Sequence, residues 1–257
     1  VLDTNDDVMS LSSVDYNDDG LLDLYVCVYQ PDAKPIDSRG NAITSAADSV
    51  VLYDSNTGGQ NSLFRNESKD SGNWQFSDVT AAVGLDVNNQ RHSFAAAWED
   101  FDNDRDQDLY VANDFGTNNL YRNDGGRFTD VTADAGVLDQ SFGMSVAWSD
   151  YDRDGWMDIY VSNMFSSAGN RIAFQQRFQQ EANQETRSEF QRHARGNSLF
   201  RNLGSDEQTR FDDISENASV TLGRWAWGSK FFDLNNDGWR DLIVTNGFIT
   251  QEDTSDL

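Results

Sequence analysis

DFDNDRDQDLYV, residues 100–111, carries oxygen-bearing side chains at its first, third, fifth and ninth positions and then turns apolar. The phrase is written three more times, as DYNDDGLLDLYV at 15–26, DYDRDGWMDIYV at 150–161 and DLNNDGWRDLIV at 233–244. Such a spacing wraps a short turn around one hard cation, and the Leu-Tyr-Val type of ending reads as a strand leaving that turn. A single Asp-rich turn needs no metal, because Asp and Asn close turns on their own backbone. Four copies in register ask for more.

The copies also measure the chain. Their first residues are 85, 50 and 83 apart, so the unit is near 50 residues with two insertions, at 31–60 and 165–196. A second landmark recurs between them: NSLFRN at 61–66 with FSDVT at 76–80, NNLYRN at 118–123 with FTDVT at 128–132, and NSLFRN at 197–202 with FDDIS at 211–215. Each pair reads as a hairpin, and an apolar strand precedes the next acidic phrase. Four short strands per unit, rich in aromatics and punctuated by Gly, Asn and Asp, is the pattern of a propeller blade. The expected fold is therefore all-β: a single β-propeller domain over 1–257, or the major part of one, with one short helical insertion. A β-helix of calcium nonapeptides would need shorter, directly adjoining repeats. A pair of EF-hands would need Glu at the twelfth position and flanking helices, whereas that position is Val in all four copies.

Oxygen ligands without His or Cys point to calcium rather than zinc or copper. The expected side-chain ligands are Asp15, Asn17, Asp19 and Asp23 in the first loop; Asp100, Asp102, Asp104 and Asp108 in the second; Asp150, Asp152, Asp154 and Asp158 in the third; and Asp233, Asn235, Asp237 and Asp241 in the fourth. The seventh-position carbonyls of Leu21, Asp106, Trp156 and Trp239 complete each set, for up to four structural ions. Position 6 needs a sharp turn of positive φ, which explains Gly20, Gly155 and Gly238. The second loop has Arg105 there, at an expected cost of about 1 kcal/mol, but it keeps its full acidic set.

Composition narrows the partners. A net charge of −25 argues against nucleic acid, which rewards clustered Lys and Arg. Seven Trp, eight Tyr and sixteen Phe are too many buriable groups for a disordered acidic chain. The single cysteine, Cys27, lies among Tyr25, Val26, Val28 and Tyr29 and reads as a packed strand thiol. No apolar stretch approaches the ~20 residues of a membrane helix. A start at Val1 in mid-repeat is what a processed or truncated chain would show.

The phrase D-x-[DN]-x-D-G-x-x-D-[LI], followed by N-x-L-[FY]-R-N, resembles the FG-GAP/VCBS repeats of calcium-binding β-propellers. The closing GRWAWGSKFFDLNNDGWRDLIVTNGFI, 223–249, resembles the cartilage acidic protein and ASPIC/UnbV subgroup. The resemblance implies a ring of about seven blades, of which this chain would supply part, in assembly with further blades or chains. It also implies work outside the cytoplasm, whether extracellular, periplasmic or at the cell surface, as a secreted binding, cell-adhesion or scaffold module with a protein or glycan partner and no catalysis. The alternative is a polysaccharide lyase or hydrolase acting at the mouth of the central channel.

Three further features bear on a ligand surface. Trp98, Trp148 and Phe231 recur two residues before the loops, so they read as core between blades. Arg91 and His92, Gln140 and Ser141, and Arg224 and Trp225 precede the innermost strands. At the channel mouth, Arg91, His92, Arg224 and Trp225 would suit an anionic ligand. A basic residue paired with Tyr there would favour the enzyme; an Arg and aromatic set alone would favour binding. In the second insertion Glu185 to Arg195 reads as a short helix, with Glu189 and His193 spaced to pair along it, either packed on the rim or serving as a lid.

Overall fold

A computed structural model describes residues 7–30, 55–69, 72–165, 167–204 and 211–247. The fold is mostly β, in four antiparallel sheets. The first holds β1 (Val8–Val14), β2 (Asp23–Val28), β3 (Ser62–Asn66) and β4 (Phe76–Asp78) in sequence order. The second repeats the order with β5 (Ser93–Glu99), β6 (Asp108–Asn113), β7 (Asn119–Asn123) and β8 (Phe128–Asp130). The third does so with β9 (Gly143–Ser149), β10 (Asp158–Asn163), β11 (Ser198–Asn202) and β12 (Phe211–Asp213). The fourth has two described strands, β13 (Ala226–Phe232) and β14 (Asp241–Asn246). Each acidic phrase is the turn between the first two strands of its sheet.

The hairpin pairs close by a device written in their sequence. In FSDVT the Asp78 carboxylate accepts the Thr80 amide at 3.0 Å, and the Thr80 hydroxyl accepts the Leu63 amide at 2.9 Å. Asp130 and Thr132 do the same for Leu120, and Asp213 and Ser215 for Leu199. The side chains thus satisfy backbone donors where the ladder between the two strands runs out. After the first two copies a single helical turn, α1 (Thr80–Val83) or α2 (Thr132–Ala135), stops at a left-handed glycine, Gly84 or Gly136.

Adjacent sheets meet through one repeated aromatic contact. The ring two residues before each loop stands edge-on against the Tyr of the preceding sheet's second strand. Trp98 meets Tyr25 at 5.8 Å and 90°, Trp148 meets Tyr110 at 6.2 Å and 87°, and Phe231 meets Tyr160 at 6.1 Å and 84°. All three Tyr rings are buried. Edge-to-face packing of this kind adds about 0.5–1.5 kcal/mol per pair beyond area burial. The core accordingly lies between sheets, in three clusters along the chain, and the third is the smallest. The innermost strands follow one another, β1 against β5, β5 against β9 and β9 against β13. The four sheets thus follow one another in chain order, and among the described residues no closed ring is detected.

Most of the first insertion, 31–54, lies outside the described residues. In the second, α3 (Ser167–Ala173) precedes α4 (Gln184–His193), whose N-cap Asn183 accepts the Thr186 amide at 2.8 Å. The last turn of α4 is docked on the body. Arg192 reaches Asp213 at 2.6 Å and Asp139 at 3.5 Å, and Arg195 reaches Asp213 at 2.9 Å. His193, expected to pair along the helix with Glu189, places Nδ1 2.9 Å from the Gln140 carbonyl and its ring against Phe142. Cys27 is fully buried in β2, and that burial pushes its thiol pKa up to about 12. Among the described residues no helix is long and apolar enough to cross a membrane.

Candidate metal centre

All four acidic loops share one hydrogen-bond plan. The first-position carboxylate takes two backbone amides, those of positions 5 and 6: Asp15 from Asp19 and Gly20, Asp100 from Asp104 and Arg105, Asp150 from Asp154 and Gly155, Asp233 from Asp237 and Gly238. The fifth-position carboxylate takes the amide of position 7, as Asp19 from Leu21, Asp104 from Asp106, Asp154 from Trp156 and Asp237 from Trp239. Both contacts force left-handed backbone. Position 6 has φ of +84° at Gly20, +91° at Gly155 and +85° at Gly238, and Arg105 adopts +83° in the same place. Position 4 is left-handed as well, at Asp18, Asn103, Arg153 and Asn236, a requirement the reading of position 6 alone missed. Asp and Asn tolerate that region better than most residues, so the trace of it lies in those letters in three copies, and Arg153 is the exception.

The ninth-position Asp joins the loop to the rest of its sheet. Asp108 is fully buried; one oxygen takes the Phe101 amide of its own loop at 3.1 Å, the other the Asn123 amide of β7 at 2.7 Å. Asp23 makes the same pair with Tyr16 and Asn66, and Asp158 with Tyr151 and Asn202. The closing Asn of N-x-L-[FY]-R-N also spans blades. Its side-chain amide donates to the position-8 carbonyl of its own loop and to the position-2 carbonyl of the loop before. Asn123 thus reaches Gln107 and Tyr16, and Asn202 reaches Met157 and Phe101. These asparagines were not among the expected site residues, though their fixed place in three hairpins was the signal.

In the second and third loops three carboxylates converge. Asp100, Asp102 and Asp108 each offer an oxygen within 4.8 Å of the others, as do Asp150, Asp152 and Asp158. These two groups could hold a metal ion. Burial, reinforced by the neighbouring carboxylates and opposed by the amide bonds, pushes the pKa of Asp108 up to about 8 and that of Asp158 up to about 7. Asp102 is pushed up to about 6 for the same first reason. A cation placed among them would offset that desolvation and repulsion, and Asp152 keeps a buried oxygen, Oδ1, with no hydrogen-bond partner. The fit to a hard cation is therefore good at positions 1, 3 and 9.

The expected fifth-position ligands, Asp104 and Asp154, do not join these triples. Asp154 and Asp152 are instead bridged by Arg201 of β11, at 3.2 and 2.7 Å. In the first and fourth loops position 3 is Asn17 or Asn235, and among the described residues no group of three carboxylates forms there. Of the seventh-position residues, Trp239 lies exposed beneath the Arg153 guanidinium of the neighbouring loop, 4.1 Å from its ring centre, while Trp156 packs over Gly204.

The opposite ends of the strands carry the other expected residues. Strand register aligns Ser93, Gly143 and Ala226, so the residues matching His92 and Trp225 are Phe142 and not Ser141; the expected pairing was displaced by one. His92 is buried between Tyr29 and Phe115, and Phe115 leads through Phe142 to His193. Two histidines far apart in sequence thereby share one belt of rings. Arg91 turns to the Ser55 carbonyl at 2.9 Å, whereas Trp225 is exposed. Tyr29 and His92 do meet here, but the Tyr29 hydroxyl donates to Asp114 at 2.7 Å. Burial and that carboxylate raise the phenol pKa, which is opposite to the need of a tyrosinate base.

No curated protein matches the chain. Residues 100–161, which run from the second loop through the strand after the third, match the family model of the FG-GAP-like repeat. The match begins at the first residue of one carboxylate triple and takes in the whole of the other. The chain therefore contains an FG-GAP-like repeat, with its candidate metal centres at the two ends of the matched segment.

Proposed function

We propose that this chain is a calcium-stapled module of propeller-like blades that works outside the cytoplasm by binding, in adhesion or assembly, and not by catalysis. The observation that carries the reading is the double use of the ninth-position Asp. It faces the carboxylate triple and ties the loop to its outer strand. A calcium ion held by Asp100, Asp102 and Asp108, or by Asp150, Asp152 and Asp158, would supply charge neutralisation at that junction. The chain's own residues do the rest, fixing the turn and the blade around it. Loops one and four would bind more weakly, having one carboxylate fewer. Millimolar calcium outside cells suits sites of this modest charge.

An FG-GAP-like repeat suggests a binding or adhesion module. The ASPIC/UnbV subgroup and a ring of about seven blades belong to the same proposal. The partner is a protein or glycan surface, and Arg224 and Trp225 at the ends of the strands away from the loops are its candidate contacts. Calorimetric titration with calcium chloride, paired with melting in chelator, tests the staple. Calcium at a hundred times Kd should add about 2.7 kcal/mol for each filled site. A chain that takes up no calcium and melts at the same temperature in chelator would remove the reading. Glycan-array and matrix-protein binding that survives both Arg224→Ala and Trp225→Ala would remove that surface.

A further inference from the structure

The second and third sheets use the Asp that closes the hairpin in different ways. Strand register makes Asp130 the counterpart of Asp213 and Asn119 that of Ser198, and the hairpin closure makes Thr132 that of Ser215. In the third sheet one guanidinium sits on all three residues. Arg195 donates from Nη1 to Asp213 at 2.9 Å, and from Nη2 to Ser198 at 3.1 Å and Ser215 at 3.3 Å. Arg192 donates to the same Asp213 oxygen at 2.6 Å. Both arginines come from the insertion between β10 and β11. Between β6 and β7 the chain has only residues 114–118, with no arginine among them. There the Oδ2 of Asp130 takes two carboxamides, Asn88 at 2.7 Å and Asn119 at 3.4 Å. Asp130, Asn119 and Thr132 line a cleft of about 370 Å³.

We propose that this cleft binds a guanidinium group on an alkyl stem, carried by an arginine of a partner polypeptide or by a free alkylguanidine. The third sheet supplies the template. A guanidinium with one nitrogen on Asp130 Oδ2 and another on Thr132 repeats the seat of Arg195. The Thr132 hydroxyl is set for that, because it gives its proton to Asp130 and accepts the Leu120 amide, as Ser215 does with Asp213 and Leu199. The planar fork presents both donors at once, and its charge-assisted bonds are stronger than the Asn88 bond they displace. Asp134, exposed on the wall, adds a second negative charge, and Val87 and Leu138, each about half exposed, flank the stem. Arg91 also lines the cleft, with Nη1 on the Ser55 carbonyl, so two carboxylates face one resident cation. The cleft lies at the end of the hairpin away from its acidic loop and does not include Arg224 or Trp225. The inference therefore stands apart from calcium and from that surface.

Agmatine, the peptide acetyl-Gly-Arg-Gly-amide and its citrulline counterpart, titrated into the intact chain and followed by amide chemical shifts, test the proposal. Agmatine or the arginine peptide should give saturable shifts at residues 117–119 and 130–134. The citrulline peptide, neutral but of nearly the same shape, should bind about tenfold more weakly or worse. Tighter binding of the peptide assigns the group to a polypeptide, and tighter binding of agmatine to a free guanidine. Asp130→Asn should weaken binding about tenfold. Because Asp130 also closes its hairpin, Leu138→Arg is the second variant. It changes an exposed side chain, and its own guanidinium should seat on Asp130 and block the titration. No saturable shift with either ligand overturns the proposal, as does a citrulline peptide that binds as well as the arginine peptide. Shifts confined to other residues, or parental binding by Leu138→Arg, overturn it as well. A calcium titration that fails while the arginine peptide binds removes the calcium reading alone.

Discussion

Replacing Trp148 by Ala removes a large side chain that packs the third blade against the second. Its ring stands edge-on to Tyr110, lies parallel to Phe101 at 6.4 Å and touches Phe211 at 6.5 Å, and its Nε1 donates to the Ala97 carbonyl at 3.3 Å. Truncating a large aromatic in a core costs about 3–5 kcal/mol, and Trp148 is only partly buried, so about 3 kcal/mol is expected. At roughly 2–4 °C per kcal/mol for a chain of this size, Tm should fall by about 6–12 °C. Trp148→Phe keeps a ring over Tyr110 and loses the indole donor, so it should cost about 1 kcal/mol. Calorimetry gives the two shifts. Because blades touch mainly their neighbours, the loss should be regional. Exchange mass spectrometry should show β9 to β14 opening while β1 to β4 stay protected. Equal effects of the Ala and Phe variants, or a loss under about 1 kcal/mol for Ala, would refute the view that this contact holds the blades together.

Arg105→Gly should stabilise the chain by about 1 kcal/mol, since the backbone there already has φ of +83°, and a denaturant midpoint that falls would show the Arg side chain to matter more. Asp114 is buried and its pKa is pushed up to about 6, chiefly by burial, against the Tyr29 hydrogen bond that lowers it. A folded pKa above the unfolded value means stability present below about pH 4 and lost as pH rises through 6. The stability of Asp114→Asn relative to the parent should therefore improve between pH 4 and pH 7, by roughly 3 kcal/mol at most; an offset independent of pH would contradict the assignment. Cys27, with its thiol pushed up to about 12 and no exposed surface to speak of, should resist a thiol reagent in the folded chain and react once unfolded.

What the sequence made legible was whatever repeats. The four phrases located every loop, the hairpin pairs located β3, β4, β7, β8, β11 and β12, and Trp98, Trp148 and Phe231 were readable as contacts between blades. The acidic residues of the loops were legible as residue types, and their arrangement is what the structure adds. Positions 1, 3 and 9 converge in two loops, while position 5 turns to a backbone amide and, at Asp154, to Arg201. Arg201 comes from a strand some fifty residues downstream, and spacing within a motif carries no trace of such a neighbour. The same holds for the ring belt from Tyr29 to His193. Its members stand at matching ends of different strands, so their meeting depends on strand register, as the one-residue displacement from Ser141 to Phe142 shows.

The acidic phrase reads as a candidate for holding a cation, but its ninth residue also has a structural task. Asp23, Asp108 and Asp158 each divide two oxygens between the loop and the outer strand. Asp241 makes the first of these bonds, and among the described residues it has no counterpart of the second. Leu234, at position 2 of the fourth loop, stands exposed where Tyr16 and Phe101 are covered. Charge neutralisation by a cation at the loop would act on the same carboxylate that pairs with the outer strand. In the second and third sheets that carboxylate lies buried among neighbouring acids at the root of the hairpin. Loop and outer strand are therefore best regarded as joint partners of one aspartate, and a cation held at the loop would act on both through it.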